Sequence, residues 1–305
     1  MSELLPVPYF HVVFTLPHQL TPFIKRDTSL LLGKLFHAAS RTLMTFFENE
    51  EDLGVTPGIL MVLHTWGQQL TPHYHVHCIV TGGGLDKQRQ WKSCSADYLF
   101  PVKALSKVFR GIYLKSVKDL IAKEKVSHQA NELSALVAKL YRHPWVVYAK
   151  KPFGGPEVVL KYLGRYTHRV AISNARIIRF SNNMVTFTYK DYRKDAKICH
   201  LTLPLNEFLL RFVNHILPAG FMRIRSYGLW SNPRKKKDLA HCRSLLGKPD
   251  LSNEVVAHEI ESSEEIEGVL DVEDLEPGQM ICPHCRKNIL LPMDLIFETV
   301  LRDTS

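Results

Sequence analysis

Two apolar runs, Gly58–Trp66 and His73–Thr81, flank a short polar stretch that ends in Thr71 and Pro72. Together they predict an antiparallel hairpin, which commits this part of the chain to a sheet of neighbouring strands. Side chains alternate along a strand, so His73, His75 and His77 share one face while Val76 points to the other and anchors the strand in a core. Histidines two residues apart lie about 6.5 Å apart at Cα, close enough to share one metal ion, whereas His73 and His77 are about 13 Å apart. At most two of the three therefore bind the same ion comfortably. A turn centred near Gln69 sets His64 across the hairpin from position 75, where it could supply a third ligand. His11, on the first strand, is the other candidate. Surface or hydrogen-bonded histidines are the alternative reading of such a strand.

The rest of the chain fits around this hairpin. Tyr9–Leu16 reads as a strand that stops at Pro17, and Phe23–Phe47 carries Leu30, Leu31, Leu35, Ala38, Leu43 and Phe46 at helical spacing. Leu105–Tyr141 is largely helical and Trp145–Ala149 is a short strand. Gly154, Gly155 and Pro156 then open a helix that runs to about Thr167. A second hairpin pairs Ala175–Phe180 with Met184–Lys190 across Ser181, Asn182 and Asn183, and Leu205–Ile216 predicts a further helix. Gly82, Gly83 and Gly84 lack the Lys and Ser/Thr of a phosphate loop and predict only a loop that lets another chain approach the backbone closely. Hairpins mixed with long helices predict an α+β fold with a mainly antiparallel central sheet flanked by helices.

Charge narrows the function. The net charge of +9 conceals an acidic end: Leu251–Ser305 holds 13 acidic and 3 basic residues, so the preceding 250 residues carry +19. A basic body suits a polyanion such as nucleic acid. No apolar run reaches the roughly 18 residues of a membrane span, and Met1–Phe10 lacks a secretion signal, so a cytoplasmic protein is expected. The six cysteines form no disulfide framework. Cys282 and Cys285 make half a zinc site that needs two further ligands. On the helix after Pro156, Tyr162 and Tyr166 lie one turn apart among Lys161, Arg165, His168 and Arg169. A packed tyrosine stripe is the plain reading, yet Val159, Leu160 and Leu163 already supply a core face, and a phenol near cations and a metal is a usable nucleophile. Neither a Gly-x-Ser-x-Gly elbow nor a His-Glu-x-x-His motif is present, which disfavours the common serine hydrolases and zinc proteases.

Taken together these residues resemble a known family. His75-Val76-His77 resembles the histidine–hydrophobic–histidine motif of the HUH endonucleases, and Tyr162 with Tyr166, in Tyr-Leu-Gly-Arg-Tyr-Thr-His-Arg, resembles the paired tyrosines of the two-tyrosine transposases. Pro-Tyr-Phe-His-Val-Val-Phe-Thr-Leu-Pro (8–17), Leu-His-Thr-Trp-Gly-Gln-Gln-Leu (63–70) and Leu-Leu-Gly (245–247) are similar to the insertion-sequence 91 family of rolling-circle transposases. The resemblance covers about residues 6–247. It implies an HUH-type nuclease domain and a metal-dependent DNA nickase and strand transferase. His75 and His77 would hold a magnesium or manganese ion, the third ligand being left open between His64 and His11, and Tyr162 and Tyr166 would attack donor and target strands to leave a 5′-phosphotyrosine and a free 3′-hydroxyl.

The expected organisation is a catalytic domain over 1–220, a basic DNA-binding extension over 221–250, and an acidic, partly disordered tail over 251–305. Lys161, Arg165, Arg169, Arg223, Arg225, Arg234, Lys235, Lys236 and Lys237 are the expected contacts to single-stranded DNA at element ends and target, with Tyr227 and Trp230 available for base stacking. The setting implied is a bacterial cytoplasm, at the nucleoid when acting. The chain departs from the family at its start: relatives carry a cysteine-rich zinc-binding segment there, and no cysteine precedes Cys78, so a truncated copy is expected. A replication-initiation nickase with the same chemistry and a catalytically inactive DNA-binding remnant are the alternatives.

Overall fold

The computed structural model describes residues 4–95, 100–126, 130–153, 171–194, 196–231 and 234–247, together with the strand backbones at 280–281 and 289–290. In chain order the elements begin with β1 (Tyr9–Thr15), α1 (Thr21–Arg26), α2 (Thr28–Glu48), β2 (Thr56–Trp66), β3 (Pro72–Leu85) and β4 (Trp91–Ser93). There follow α3 (Val102–Ala122), α4 (Ala130–Leu140), β5 (Val147–Phe153), β6 (Ile177–Ser181), β7 (Met184–Asp191) and β8 (Lys197–Pro204). The chain continues with α5 (Leu205–Val213), β9 (Ile224–Gly228), α6 (Lys235–Leu246), β10 (Met280–Ile281) and β11 (Ile289–Leu290). These elements divide between two compact units, one of residues 1–67, 71–169 and 213–257, the other of residues 68–70, 170–212 and 258–305.

The first unit is organised by an antiparallel sheet of order β5-β1-β3-β2-β9, with β4 paired to the end of β3. Alternation gives this sheet two unlike faces. Phe10, Val12 and Phe14 of β1, Ile59, Met61 and Leu63 of β2, and Tyr74, Val76, Cys78 and Val80 of β3 pack in one core with α2 and α3, including Leu35, Phe36, Phe109 and Leu114. Burying each such side chain contributes about 1.5–3 kcal/mol, which is what fixes the register. The opposite face carries Tyr9 and Ile79, which pack with Leu5, Val7, Leu229, Trp230 and, from α6, Leu239 and Cys242. His11, His64, His75 and His77 project from this same face. The α+β architecture with a mainly antiparallel sheet flanked by helices is thus as expected.

Several details differ from expectation. The helix read over Phe23–Phe47 is two helices, because Asp27 leaves the helical region (φ −111°, ψ 47°). α2 ends where Asn49 turns extended and its carbonyl takes the amides of Asp52, Leu53 and Gly54. Leu30, expected in the core, is 38% exposed. Leu105–Tyr141 divides into α3 and α4 around Glu124, which has positive φ. Gly82–Gly84 are not a loop but the last part of β3. The close approach expected of them is to their own chain: a Cβ on Gly82 would lie 2.9 Å from the Pro8 carbonyl oxygen, and one on Gly84 would strike the Thr56 carbonyl.

In the second unit β6, β7 and β8 form a three-stranded antiparallel sheet. Val185, Phe187 and Leu203 are buried with Leu205 and Phe208 of α5, and the Phe187 and Phe208 rings are 5.7 Å apart. Asn182 and Asn183, with φ of 50° and 56°, make the two-residue turn between β6 and β7 that right-twisted strands favour. β10 and β11 pair antiparallel, while Cys282 and Cys285 lie outside the described residues. Among the described residues no helix is long and apolar enough to cross a membrane.

Candidate functional site

The pairing of β2 with β3 sets His64 directly opposite His75, and the strand period places His77 next to His75 on the same face. The ligand atoms of His64, His75 and His77 all lie within 4.8 Å of one another. Nε2 of His75 and Nε2 of His77 are 3.1 Å apart. That is the separation of two nitrogens on one ion, since bonds of about 2.0–2.1 Å at tetrahedral to octahedral angles put ligands about 2.9–3.4 Å apart. The Nδ1–H of His75 donates to its own strand, at the His73 carbonyl 2.9 Å away, which leaves Nε2 with its lone pair free for an ion. The His64 ring stacks on Trp66 at 4.9 Å and 14°. His73 is exposed and stays outside the cluster, serving it through its carbonyl rather than its ring. The third position of the cluster thus falls to His64, the residue the hairpin register pointed to, and not to His11.

Electrostatics keep the two strand rings, His75 and His77, in the neutral form that a metal ligand requires. Burial, followed by the neighbouring His64 and His73, pushes His75 down to about 3. Burial and then His75 and His64 hold His77 well below the ordinary imidazole range. Both rings are therefore neutral at physiological pH, and protons compete with an ion only in acid. No carboxylate belongs to the cluster among the described residues, so an ion there would keep its double charge and attract a phosphate. An imidazole-only donor set suits zinc, copper or nickel better than magnesium, which prefers oxygen.

A pH dependence of stability follows. His75 and His77 stay neutral when folded but take up protons in the unfolded chain below pH 6.5, so the unfolded state binds more protons there. Stability is therefore lost as pH falls below 6.5, because both rings must take up protons that the folded state refuses. In the presence of EDTA the urea midpoint should be lower at pH 5 than at pH 7.5. Equal midpoints would contradict buried neutral imidazoles.

The basic residues singled out in the sequence take different places. Arg223 lies with its guanidinium 5.9 Å from the Trp66 ring centroid, at the edge of the histidine cluster. Arg225 is turned to the helix-packed face, 4.3 Å from the Phe36 ring and 5.2 Å from Phe221, and so braces β9 against α2. Arg234 and Lys235–Lys237 sit at the start of α6, with Arg234, Lys236 and Lys237 exposed. α6 itself is fixed by Leu239 and Cys242 and by an Asp238–Arg89 ion pair at 3.1 Å. Trp230, expected to be open to a base, is 6% exposed and stacks on Tyr9 at 6.1 Å, and Tyr227 is packed against the helix-side core. Both therefore serve packing. Tyr162, Tyr166, Lys161, Arg165 and Arg169 lie outside the described residues. Trp66 and His215, whose Nδ1 is 3.3 Å from the Thr65 hydroxyl, are neighbours of the cluster that sequence reasoning did not single out; the bulge after His64 that brings Trp66 onto its ring leaves no mark in the residue pattern.

The family described as "Y2_Tnp: Putative transposase" matches residues 58–237, a span that holds the whole histidine hairpin. The "Putative transposase y4qJ" of Sinorhizobium fredii is 42% identical over 255 residues, covering 81% of this chain and 64% of that protein. The "Transposase for insertion sequence element IS801" of Pseudomonas savastanoi pv. phaseolicola is 32% identical over 237 residues, covering 74% of this chain and 55% of that protein. The chain thus spans between half and two thirds of the length of these relatives. A solved origin-recognition/nickase domain of human bocavirus non-structural protein 1 aligns over 78% of this chain and 96% of its own, at 14% identity and a TM-score of 0.31, too distant a likeness to bear on the site.

Proposed function

The chain belongs to the Y2_Tnp family of transposases, rolling-circle proteins of the HUH type, and from that premise we propose that it nicks and rejoins single-stranded DNA through a metal-assisted tyrosine. The observation that carries this reading is the convergence of His64, His75 and His77 on one point. These three would hold a divalent ion, manganese or magnesium, that polarises the scissile phosphate and stabilises charge on its oxygens. The phenol of Tyr162 or Tyr166 attacks that phosphorus, a bond forms between the phenolic oxygen and the 5′-phosphate, and the 3′-oxygen leaves as a hydroxyl. The phosphodiester energy is kept in the phosphotyrosine, so a second 3′-hydroxyl can reverse the step on another strand without a nucleotide cofactor.

Phosphate contact falls to the cations near this face. Arg223, Arg234, Lys235, Lys236 and Lys237 are proposed to hold the strand, with Lys161, Arg165 and Arg169 beside the tyrosines. In this reading residues 1–220 carry the chemistry, 221–250 add DNA contact and 251–305 form an acidic tail. The place of action is the bacterial cytoplasm, at the nucleoid.

The test is denaturing electrophoresis of the protein with end-labelled single-stranded DNAs, with and without Mn2+. A metal-dependent band of protein-linked DNA is expected, and it should vanish in the Tyr162→Phe/Tyr166→Phe double variant. An adduct that survives the double substitution would overturn the assignment of the nucleophiles. No adduct on any strand, from protein that is folded and binds DNA, would replace the nickase with a DNA-binding remnant.

A further inference from the structure

We infer that His11 is a positioning residue of the metal centre: it accepts a hydrogen bond from Nδ1 of His77 and so holds His77 with Nε2 toward the ion. The inference rests on the reading of His64, His75 and His77 as ligands, and adds to it a residue outside that set. A neutral imidazole has one N–H and one lone pair. Nε2 of His77 faces Nε2 of His75 at 3.1 Å, and Nδ1 of His77 faces Nε2 of His11 at 2.9 Å. A ligating nitrogen uses its lone pair, so when His77 Nε2 is the ligand its proton sits on Nδ1 and is donated to His11 Nε2. His11 then carries its own proton on Nδ1. Binding an ion therefore fixes the tautomers of two rings, one of which never touches it.

The geometry is that of a strong, directed bond. The His11 and His77 ring planes are within 3° of parallel with centroids 5.2 Å apart. With a nitrogen–nitrogen distance of 2.9 Å, that centroid separation requires the rings to lie edge to edge in one plane rather than over one another. The N–H then points straight along the accepting lone pair. β1 delivers His11 by register: Val13 pairs with His77, and His11 follows two residues along on the same face. His11 is 8% exposed and His77 9%, so water competes little for the bond.

The two strand ligands are thus oriented by different means. His75 is held by the His73 carbonyl of its own strand, His77 by a side chain of the neighbouring one. The choice of a histidine acceptor has a chemical consequence. A carboxylate in that place, the common partner of a metal-bound histidine, would offset part of the ion's charge, whereas a neutral ring leaves that charge for the phosphate.

The test is titration of the full chain with Co2+, followed by its visible absorption, for wild type, His11→Phe and His11→Gln. Phenylalanine keeps a flat ring but offers no acceptor, while glutamine offers a carbonyl oxygen. His11→Phe is expected to weaken Co2+ binding about 10- to 100-fold and to shift the absorption bands, and His11→Gln to recover most of both. Unaltered affinity and spectrum in His11→Phe would overturn the inference. So would failure of His11→Gln to recover binding while its melting temperature in EDTA matches wild type. A wild-type chain that binds no Co2+ would instead overturn the metal-centre reading itself, a result distinguishable from either.

Discussion

His77→Ala should lower metal-dependent strand cleavage by about a thousandfold or more, with little change in the fold. A metal acting as Lewis acid on a phosphoryl oxygen contributes several kcal/mol to the transition state, and each 1.36 kcal/mol is tenfold in rate, so losing the ion forfeits about three powers of ten. His77 offers one of the three converging ligand atoms and shares the 3.1 Å approach with His75, so the remaining two rings hold an ion weakly. The fold should tolerate the change because the ring is neutral and on the face opposite the main core. His73→Ala is the discriminating comparison. Its ring stands outside the cluster while its carbonyl, which holds His75, survives the substitution. Single-turnover cleavage of a labelled strand in Mn2+ should therefore separate the two variants widely, and equal losses would sink the assignment of the ligands.

The centre of the site was legible because a strand has a period of two and a hairpin has one register. Once His75 and His77 share a face, a turn near Gln69 leaves His64 as the residue across from His75, and the pairing observed is that one. The function of His11 was not legible in the same way. It depends on which ring nitrogen points where, and spacing carries no information about that. Elements were missed where charge masks periodicity. β9 lies in a stretch read as a basic region because it contains Arg223 and Arg225, yet Arg225 lies over the rings of Phe36 and Phe221 and the strand completes the sheet. α6 starts with three lysines and buries only Leu239 and Cys242, too thin an apolar stripe to declare a helix. β8 was passed over because its residues are mostly exposed, and it is held by backbone pairing with β7. Gly82–Gly84 were correctly read as a place of close approach, but what approaches is Pro8, Thr56 and Lys92 of the same chain.

Gly228→Ala should be the most damaging single methyl in the described sheet. At φ +60° Gly228 ends β9 in the left-handed region, where a side chain costs about 1–2 kcal/mol. The added Cβ would also fall on the Pro57 carbonyl oxygen, well inside van der Waals contact, and that oxygen is already engaged by the Leu229 amide at 2.9 Å. Relief requires β9 to move away from β2, and such overpacking costs about 1–3 kcal/mol more. The movement does not stay local. The turn at Gly228 carries Leu229 and Trp230 onto the histidine-bearing face, where Trp230 stacks on Tyr9 and lies 3.1 Å from the point where a Cβ on Gly58 would sit. Gly58 and Gly228 are paired across β2 and β9: the bare Gly58 makes room for the indole, and the bare Gly228 for the Pro57 carbonyl. A total of about 3 kcal/mol lowers the melting temperature by about 5 °C in a chain of this size. Gly111→Ala is the matching control: it is interior to α3, its added Cβ meets nothing within 4 Å, and the better helix former should raise stability by about 0.5–1 kcal/mol. Thermal unfolding should therefore move in opposite directions for the same chemical change. A Gly228→Ala protein that melts with wild type would mean that β9 is free to slide, and that the edge of the sheet beside His64 is not fixed by this turn.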